Sequence, residues 1–249
     1  MVIKILKNKF IVNTAAFKKE SSSKLDQAAQ IHQAKELGFA AIEIRNELLD
    51  GSLEELERIS QQAQAEQLEV YFSVGDVLFK EQHLNPALEQ YLEQMRNLGA
   101  QYLKMNLGNF SYPNASAGAQ LNDYLDGSFH LYLENNQTPN ESDLQKTIAF
   151  FQQNTCPDIS YCFDIANWQW LQADVYEAAK QLAPVTDYLH LKNFVYDNNR
   201  KKVTSLEKGI LDWRRIIKIF TQVNQYGFEY YAEPDILQSD LELVQQSLS

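Results

Sequence analysis

Four side chains that commonly bind divalent metal ions stand at or near the ends of strand-like runs in the second half of the sequence. They are Glu134, Asp164, His190 and Glu233, in the runs FHLYLE, YCFD, DYLHLK and YYAE. Buried strands of a parallel sheet are almost continuously apolar, so four polar residues at equivalent places require an explanation. Three carboxylates and one imidazole suit a single divalent ion, which predicts one site for Mn²⁺, Mg²⁺, Co²⁺ or Zn²⁺.

The chemistry that such an ion supports is proton transfer next to a carbonyl group. Open positions on the ion suit two vicinal oxygens of a sugar, and the ion stabilises the enediolate that forms when the adjacent C–H loses its proton. Glu134 and Glu233 belong to the fifth and eighth predicted strands and are expected to flank the substrate as an acid–base pair. Return of the proton to the opposite face gives epimerisation, and its return to the neighbouring carbon gives isomerisation.

The order of apolar segments predicts the elements that position these residues. Strand-like runs alternate with segments of helical period, and a length of 249 residues is typical of one (β/α)₈ TIM barrel. We therefore predict an α/β fold with a single barrel domain over 1–249. Gly38, Gly99 and Gly227 follow predicted helices and mark their ends. The predicted strands are 10–17, 40–46, 68–74, 100–106, 129–134, 159–164, 186–192 and 228–233, and the predicted helices are 24–37, 52–66, 84–98, 141–153, 168–182 and 212–224.

Alternation along the strands predicts a polar ring inside the barrel mouth. Apolar residues such as Ile42 and Leu103 suit the helix layer, which turns their neighbours inward. The inward residues are candidates for binding the substrate. A salt bridge between Glu43 and Arg45 inside the barrel would explain the inward position of these two residues equally well. In the same way, Lys104 is a plausible ion-pair partner of Glu134. Two long loops, 107–118 and 193–211, follow strands on the same face. The expected substrate-binding set is Glu43, Arg45, Lys104, Asn106, Asn167 and Trp168.

Four segments of the sequence resemble the xylose-isomerase-like barrel superfamily, and more narrowly its sugar phosphate isomerase/epimerase branch. They are YLENNQT, CFDIANW, YLHLKNF and YYAEPD, in the order and at the spacing of the metal-binding strand ends of that branch. The resemblance runs from the first predicted strand to the last helix. It implies that Glu134, Asp164, His190 and Glu233 bind the metal, with Glu134 and Glu233 also catalytic. The implied substrate is a sugar or sugar phosphate.

Two positions depart from the commonest pattern of that superfamily. Asn167 stands where ketose epimerases and endonuclease relatives often carry a histidine, so a site with several zinc ions for DNA repair is not expected. Lys192 shares the parity of His190, and relatives with a lysine here include dehydratases of cyclic polyols, which makes Lys192 a further catalytic candidate. A metal-dependent dehydratase of a polyol or keto-sugar therefore remains an alternative, as does a non-catalytic sugar-binding barrel. Trp168 is expected either to roof the site or to lie in the core.

Composition limits the partners. The balance of 22 basic and 33 acidic residues gives a net charge of −11, which argues against binding to nucleic acid or to an anionic membrane. The residues between Cys156 and Cys162 read as one extended segment, which would hold the two thiols too far apart for a disulfide, so we expect reduced thiols and a cytoplasmic protein. Pairing of two copies as a homodimer is left open by the sequence.

Overall fold

Eight parallel strands close into a barrel. The computed structural model describes residues 8–19, 25–110, 120–139, 141–171 and 173–248. The strands are β1 (Lys9–Asn13), β2 (Ala41–Arg45), β3 (Glu69–Lys80), β4 (His83–Leu84), β5 (Tyr102–Gly108), β6 (His130–Glu134), β7 (Ile159–Asp164), β8 (Thr186–Leu191), β9 (Asn193–Asp197), β10 (Arg200–Thr204) and β11 (Gln225–Phe228). Eight of them pair in parallel around the ring, namely β1, β2, β3, β5, β6, β7, β8 and β11, and pairing of β2 with β3 closes it.

Helices follow most of the barrel strands and cover the outside of the barrel. Polar side chains begin several of them; Ser52 Oγ, for example, accepts the Glu55 backbone N–H at 3.2 Å at the start of the second helix. The described helices are α1 (Gln27–Glu36), α2 (Leu53–Glu66), α3 (Leu88–Asn97), α4 (Leu144–Gln153), α5 (Val175–Leu182), α6 (Trp213–Ile217) and α7 (Pro234–Ser247). The predicted (β/α)₈ fold is confirmed. None of the described helices combines the length and the apolar character needed to cross a membrane.

Side chains alternate along the strands as predicted, so the apolar residues form two layers, one between the strands and the helices and one inside the barrel. Ile42 and Leu103 lie in the large cluster that joins the sheet to the helices. The barrel interior holds a smaller cluster that includes Tyr71, Tyr132 and Tyr188, and the ring of Tyr71 stacks on that of Tyr102 with centroids 4.1 Å apart. Aromatic rings fill the amino-terminal half of the interior, and the charged cluster described below lies above them at the carboxyl ends of the strands.

Several predicted boundaries were wrong. The first strand ends at Asn13, and residues 14–17 form a 3₁₀ turn. The region predicted as helix 168–182 is a 3₁₀ turn at Asn167–Gln169 followed by α5, and the helix predicted over 212–224 is only α6. Two antiparallel hairpins were not predicted: β3 continues into a pairing with β4, and the loop 193–211 contains β9 and β10. Residues 111–119 of the other long loop lie outside the described residues.

Gly227 lies inside β11 and makes room for the barrel interior. It pairs with Ile11 on one side and His190 on the other. A Cβ atom here would lie 2.9 Å from His190 Cδ2 and still closer to the hydroxyl of Tyr188. The sequence predicts a helix end at this glycine and a last strand over 228–233, and both predictions are wrong.

Replacement of Gly227 by alanine is expected to destabilise the fold and displace the imidazole of His190. Overpacking of a filled interior typically costs about 1–3 kcal/mol, and here the added methyl group meets two fully buried rings. Chemical denaturation measures the loss of stability. Gly75→Ala is a suitable control, because its φ lies outside the left-handed region and the nearest atom to the added Cβ would be Glu47 Oε2 at 3.7 Å, an ordinary van der Waals contact. Equal stability of G227A and wild type would contradict the close approach of the Gly227 backbone to the side chains of Tyr188 and His190.

Candidate metal centre

Four acidic and imidazole side chains meet at the carboxyl ends of the barrel strands. Glu134 from β6, Asp164 from β7, His190 from β8 and Glu229 directly after β11 each offer a ligand atom, and these atoms lie within 4.8 Å of one another. Asp164 and His190 have no exposed surface, and Glu134 and Glu229 expose about a tenth of their side chains. The four strand ends bring these groups together because β6, β7, β8 and β11 are neighbours in the barrel.

Glu229 takes the place expected for Glu233. Its backbone N–H donates to the carbonyl of Leu191 at 3.2 Å, which extends the pairing of β11 with β8 by one residue and turns the side chain inward beside Gly227. Glu233 is exposed at the start of α7, where the Tyr231 hydroxyl donates to its carboxylate at 2.6 Å. The prediction that Glu233 belongs to this cluster was wrong, because the last strand ends five residues earlier than expected.

Asp164 has one oxygen committed to the backbone and one turned toward its neighbours. Its Oδ1 accepts the N–H groups of Ala166 and Asn167, both at 2.8 Å, and so begins the following 3₁₀ turn. Its Oδ2 lies 2.7 Å from the Lys192 ammonium. Burial raises the pKa of Asp164, and the positive charge of Lys192 opposes that rise. One carboxylate oxygen of Asp164 therefore orders the following turn, and the other belongs to the cluster.

Groups of the barrel interior contact the imidazole of His190 on its Nε2 side. Its Nε2 lies 3.1 Å from the Tyr188 hydroxyl and 3.3 Å from Glu43 Oε2, whereas Nδ1 lies 2.7 Å from Glu134 Oε1 and 3.4 Å from Glu229 Oε2. Proteins commonly orient a metal-binding histidine through a carboxylate on its second nitrogen. Glu43 is fully buried and does not line the cavity, so its predicted contact with substrate is replaced by this contact with His190.

Ion pairs fix the two glutamates of the cluster. Lys104 Nζ lies 2.8 Å from Glu134 Oε2, the contact considered from the sequence, and it is also 2.9 Å from Glu43 Oε1. Arg45 pairs with Glu229 Oε1, and Lys192 Nζ lies 2.7 Å from Glu229 Oε2. Glu134 therefore has one oxygen held by a cation, and Glu229 has both of its oxygens held by cations.

These residues fit a divalent ion. Oε1 of Glu134 and Oδ2 of Asp164 are buried without a hydrogen-bond partner, since their close contacts with His190 and Lys192 lack hydrogen-bond geometry. Buried carboxylate oxygens that accept no hydrogen bond are incompletely satisfied even beside a nearby nitrogen, and coordination to a cation would satisfy them. With Nδ1 of His190 and Oε2 of Glu229 they form a donor set of three oxygens and one nitrogen, which Mn²⁺, Mg²⁺, Co²⁺ and Zn²⁺ all accept.

The two glutamates of the cluster are held in the ionised state. Burial disfavours the charge of Glu134, but His190 and Lys104 outweigh burial and lower its pKa. Burial also opposes ionisation of Glu229, and Lys192, His190 and Lys104 together hold its pKa well below the usual range. Burial would lower the pKa of Lys192, but the neighbouring carboxylates raise it, so the amine carries a proton. The site therefore contains both proton acceptors and a proton donor.

A cavity of about 390 Å³ opens onto the cluster from the barrel mouth. Of the predicted substrate-binding residues, Arg45, Asn106 and Asn167 line it, and the predicted catalytic residue Lys192 lines it too. The described lining also includes polar residues that were not predicted to bind the substrate: Ser73, Asn136, Gln137 and Thr138. Residues 136–138 directly follow Glu134 and Asn135 and are rich in amide and hydroxyl groups, which was the available signal.

Trp168 and Lys104 lie away from the cavity. Trp168 is 1% exposed and packs against Phe163 in the core, with ring centroids 5.8 Å apart, so the core position is the observed one. Lys104 is 2% exposed beneath the cluster. Asn167 keeps its cavity position while its Nδ2 donates to the carbonyl of Asn135 at 2.8 Å. The predicted contacts of Trp168 and Lys104 with substrate are therefore not supported by their placement.

The fold and the cluster define a parallel (β/α)₈ barrel with three carboxylates and one histidine gathered at its mouth. A family model described as xylose isomerase-like TIM barrel matches residues 31–247, and the chain belongs to this family. This confirms the resemblance to the xylose-isomerase-like barrel superfamily. No curated protein matches the chain in a sequence comparison.

Solved structures share the fold at low sequence identity. D-psicose 3-epimerase from Clostridium cellulolyticum H10, solved with D-tagatose, has a TM-score of 0.70 and 13% identity, covering 97% of this chain and 99% of that one. D-allulose 3-epimerase from Methylomonas sp. has a TM-score of 0.70 and 16% identity, covering 97% and 98%. The probable 3-DHS dehydratase AsbF from Bacillus anthracis, involved in petrobactin synthesis, has a TM-score of 0.66 and 18% identity, covering 95% and 98%.

Proposed function

We propose that this protein is a metal-dependent epimerase or isomerase of a sugar. The observation that carries the proposal is the cluster of Glu134, Asp164, His190 and Glu229 on the floor of a polar cavity. Similar folds in sugar 3-epimerases support the same reaction class. A divalent ion held by these four residues would supply a Lewis acid that polarises a substrate carbonyl and stabilises negative charge on its oxygen.

The protein's own residues would move the proton. Glu134 is ionised and faces the cavity, so it serves as the base that removes a proton from the carbon next to the carbonyl. Glu229 faces the cluster from a strand end three places around the ring, and the protonated Lys192 lies 2.7 Å from it. This pair serves as the proton source on the second side of the substrate. Return of the proton to the opposite face of the same carbon inverts its configuration.

The charge of the cavity favours an uncharged substrate over a sugar phosphate. Among the described lining residues the cationic side chains are Arg45 and Lys192, and both are in ion pairs with carboxylates of the site. A phosphate group would have to compete with these carboxylates for its partners. Amide and hydroxyl groups of Asn106, Asn136 and Thr138 suit the hydroxyl groups of a free sugar.

Deuterium incorporation tests the proposal directly. Free ketoses, ketose phosphates and inososes are incubated with Mg²⁺-loaded protein in D₂O and followed by NMR. We expect deuterium at one carbon next to the carbonyl of a free ketose, with an epimer or an aldose as product. Absence of exchange in every substrate, with the metal shown to be bound, would favour a binding role instead.

A dehydratase is the second candidate, because Lys192 contacts two carboxylates of the cluster from within the cavity. Elimination of water needs a group that protonates the leaving hydroxyl, and a protonated lysine can do so. AsbF, a dehydratase by name, shares the fold.

Replacement of Lys192 by methionine separates the two candidates. If the protein is a dehydratase, Lys192→Met should lower turnover by roughly 10²–10⁴-fold, the usual contribution of a general acid. For the epimerase favoured here we expect epimer formation to slow while deuterium exchange persists, since Glu134 can still remove the proton and return a deuteron to the same face. The measurement is deuterium exchange and product formation on the same substrate. Lys201→Met is a control, because Lys201 contacts the carbonyl of Gln169 and does not line the cavity.

A further inference from the structure

Lys104 is a positive charge enclosed directly beneath the candidate metal centre. Its ammonium lies 2.8 Å from Glu134 and 2.9 Å from Glu43, and both ring nitrogens of His190 are 3.2 Å away. Glu229 is 4.0 Å away. The side chain is 2% exposed and does not line the cavity, so no substrate group can replace these contacts.

The cations near the cluster differ in their surroundings. Arg45 and Lys192 line the cavity, where a substrate can draw them away from the carboxylates. Lys104 is enclosed by groups of the protein itself, and Asn13 Nδ2 and the Tyr188 hydroxyl complete the hydrogen bonds of its partner Glu43, at 2.6 and 3.0 Å. The charge of Lys104 is therefore a permanent part of the site.

We propose that Lys104 is a built-in counter-cation of the metal centre, which holds the carboxylates together without a metal and thereby lowers the affinity for a divalent ion. The inference rests on the proposed metal centre. Lys104 would set how tightly and how reversibly the metal binds. It acts as a positioning residue, through its contact with Glu134.

Electrostatics gives the direction of both effects. Buried carboxylates repel one another, and a cation between Glu43 and Glu134 relieves that repulsion in the metal-free protein. The same cation contacts two of the four groups that would bind the ion, so the ion must bind close to a fixed charge of like sign. At separations of a few ångströms inside a protein, such repulsion changes a binding constant by at least about tenfold.

Lys104→Met tests the proposal, with Mn²⁺ alone as the probe. Isothermal titration calorimetry gives the Mn²⁺ affinity, and thermal unfolding with EDTA or Mn²⁺ gives the stability of each form. We expect K104M to bind Mn²⁺ at least about tenfold more tightly than wild type. We also expect K104M to melt at a lower temperature than wild type in EDTA, and Mn²⁺ to raise its melting temperature by more than it raises that of wild type. A purely structural role of Lys104 would loosen the site and weaken binding, so tighter binding distinguishes the two.

Lys9→Met is the matched control. Lys9 begins β1 at the opposite end of the barrel, where it pairs with Glu69 at 2.6 Å, so its removal changes the net charge equally without touching the cluster. We expect K9M to bind Mn²⁺ as wild type does. If K104M does not fold in EDTA, Lys104→Gln, which keeps a hydrogen-bond donor, is measured in its place with the same expectation.

The outcomes separate this inference from the proposed function. Equal or weaker Mn²⁺ binding by a folded K104M or K104Q, with binding by wild type intact, would overturn the role of Lys104 and leave the metal centre standing. Failure of both wild type and the Lys104 variants to bind Mn²⁺ would overturn the metal centre, and the inference with it. Tighter Mn²⁺ binding by the Lys104 variants than by wild type supports both the role of Lys104 and the metal centre.

Discussion

Glu134→Gln should abolish turnover while the fold survives. Glutamine has nearly the same shape but neither removes a proton nor brings a negative charge to a metal ion. Loss of a general base alone lowers the rate by roughly 10²–10⁴-fold, and loss of a metal ligand adds to this. The measurement is deuterium exchange into the substrate at saturating metal, with circular dichroism to monitor the fold.

A carboxylate at the other end of the same barrel provides the control for Glu134. Glu69 starts β3 and is about half exposed beside Lys9, so Glu69→Gln removes the same charge far from the cavity and should leave exchange unchanged. Turnover of E134Q within a few-fold of wild type would contradict the assignment of Glu134 as the base. Loss of turnover in both variants would point to a general effect of charge.

The second large effect is expected from a contrast between Glu229 and Glu233. Glu229→Gln should lower Mn²⁺ affinity and turnover strongly, because it removes one donor of the cluster and leaves Arg45 and Lys192 without their shared carboxylate. Glu233→Gln should behave as wild type, since Glu233 is exposed and contacts Tyr231 instead. Calorimetry with Mn²⁺ and the exchange assay measure the two effects.

This pair of variants is its own control. Both substitutions change glutamate to glutamine within four positions of the same strand–helix connection. A large loss in E233Q with little change in E229Q would show that the site is assembled as the sequence alone suggested. The opposite result supports the cluster seen in the structure.

The sequence by itself determined the architecture and most of the cluster. Alternating apolar segments predicted the barrel, because strand and helix periods are local properties of the chain. Strand parity placed Glu43, Lys104 and Glu134 inside the barrel, because successive side chains of a strand point to opposite faces. Three members of the predicted metal set, Glu134, Asp164 and His190, meet in space, and their role as metal ligands stays a prediction.

Only the tertiary structure decided which glutamate of the last strand joins them. Glu229 and Glu233 have the same parity, so alternation could not separate them, and Gly227 had the local signature of a helix end. The need for space beside Tyr188 and His190 puts that glycine inside the strand instead. Contacts between residues far apart in the chain also decided the partners of Lys104 and the burial of Trp168. Packing of distant segments fixes such details, and local sequence patterns do not record it.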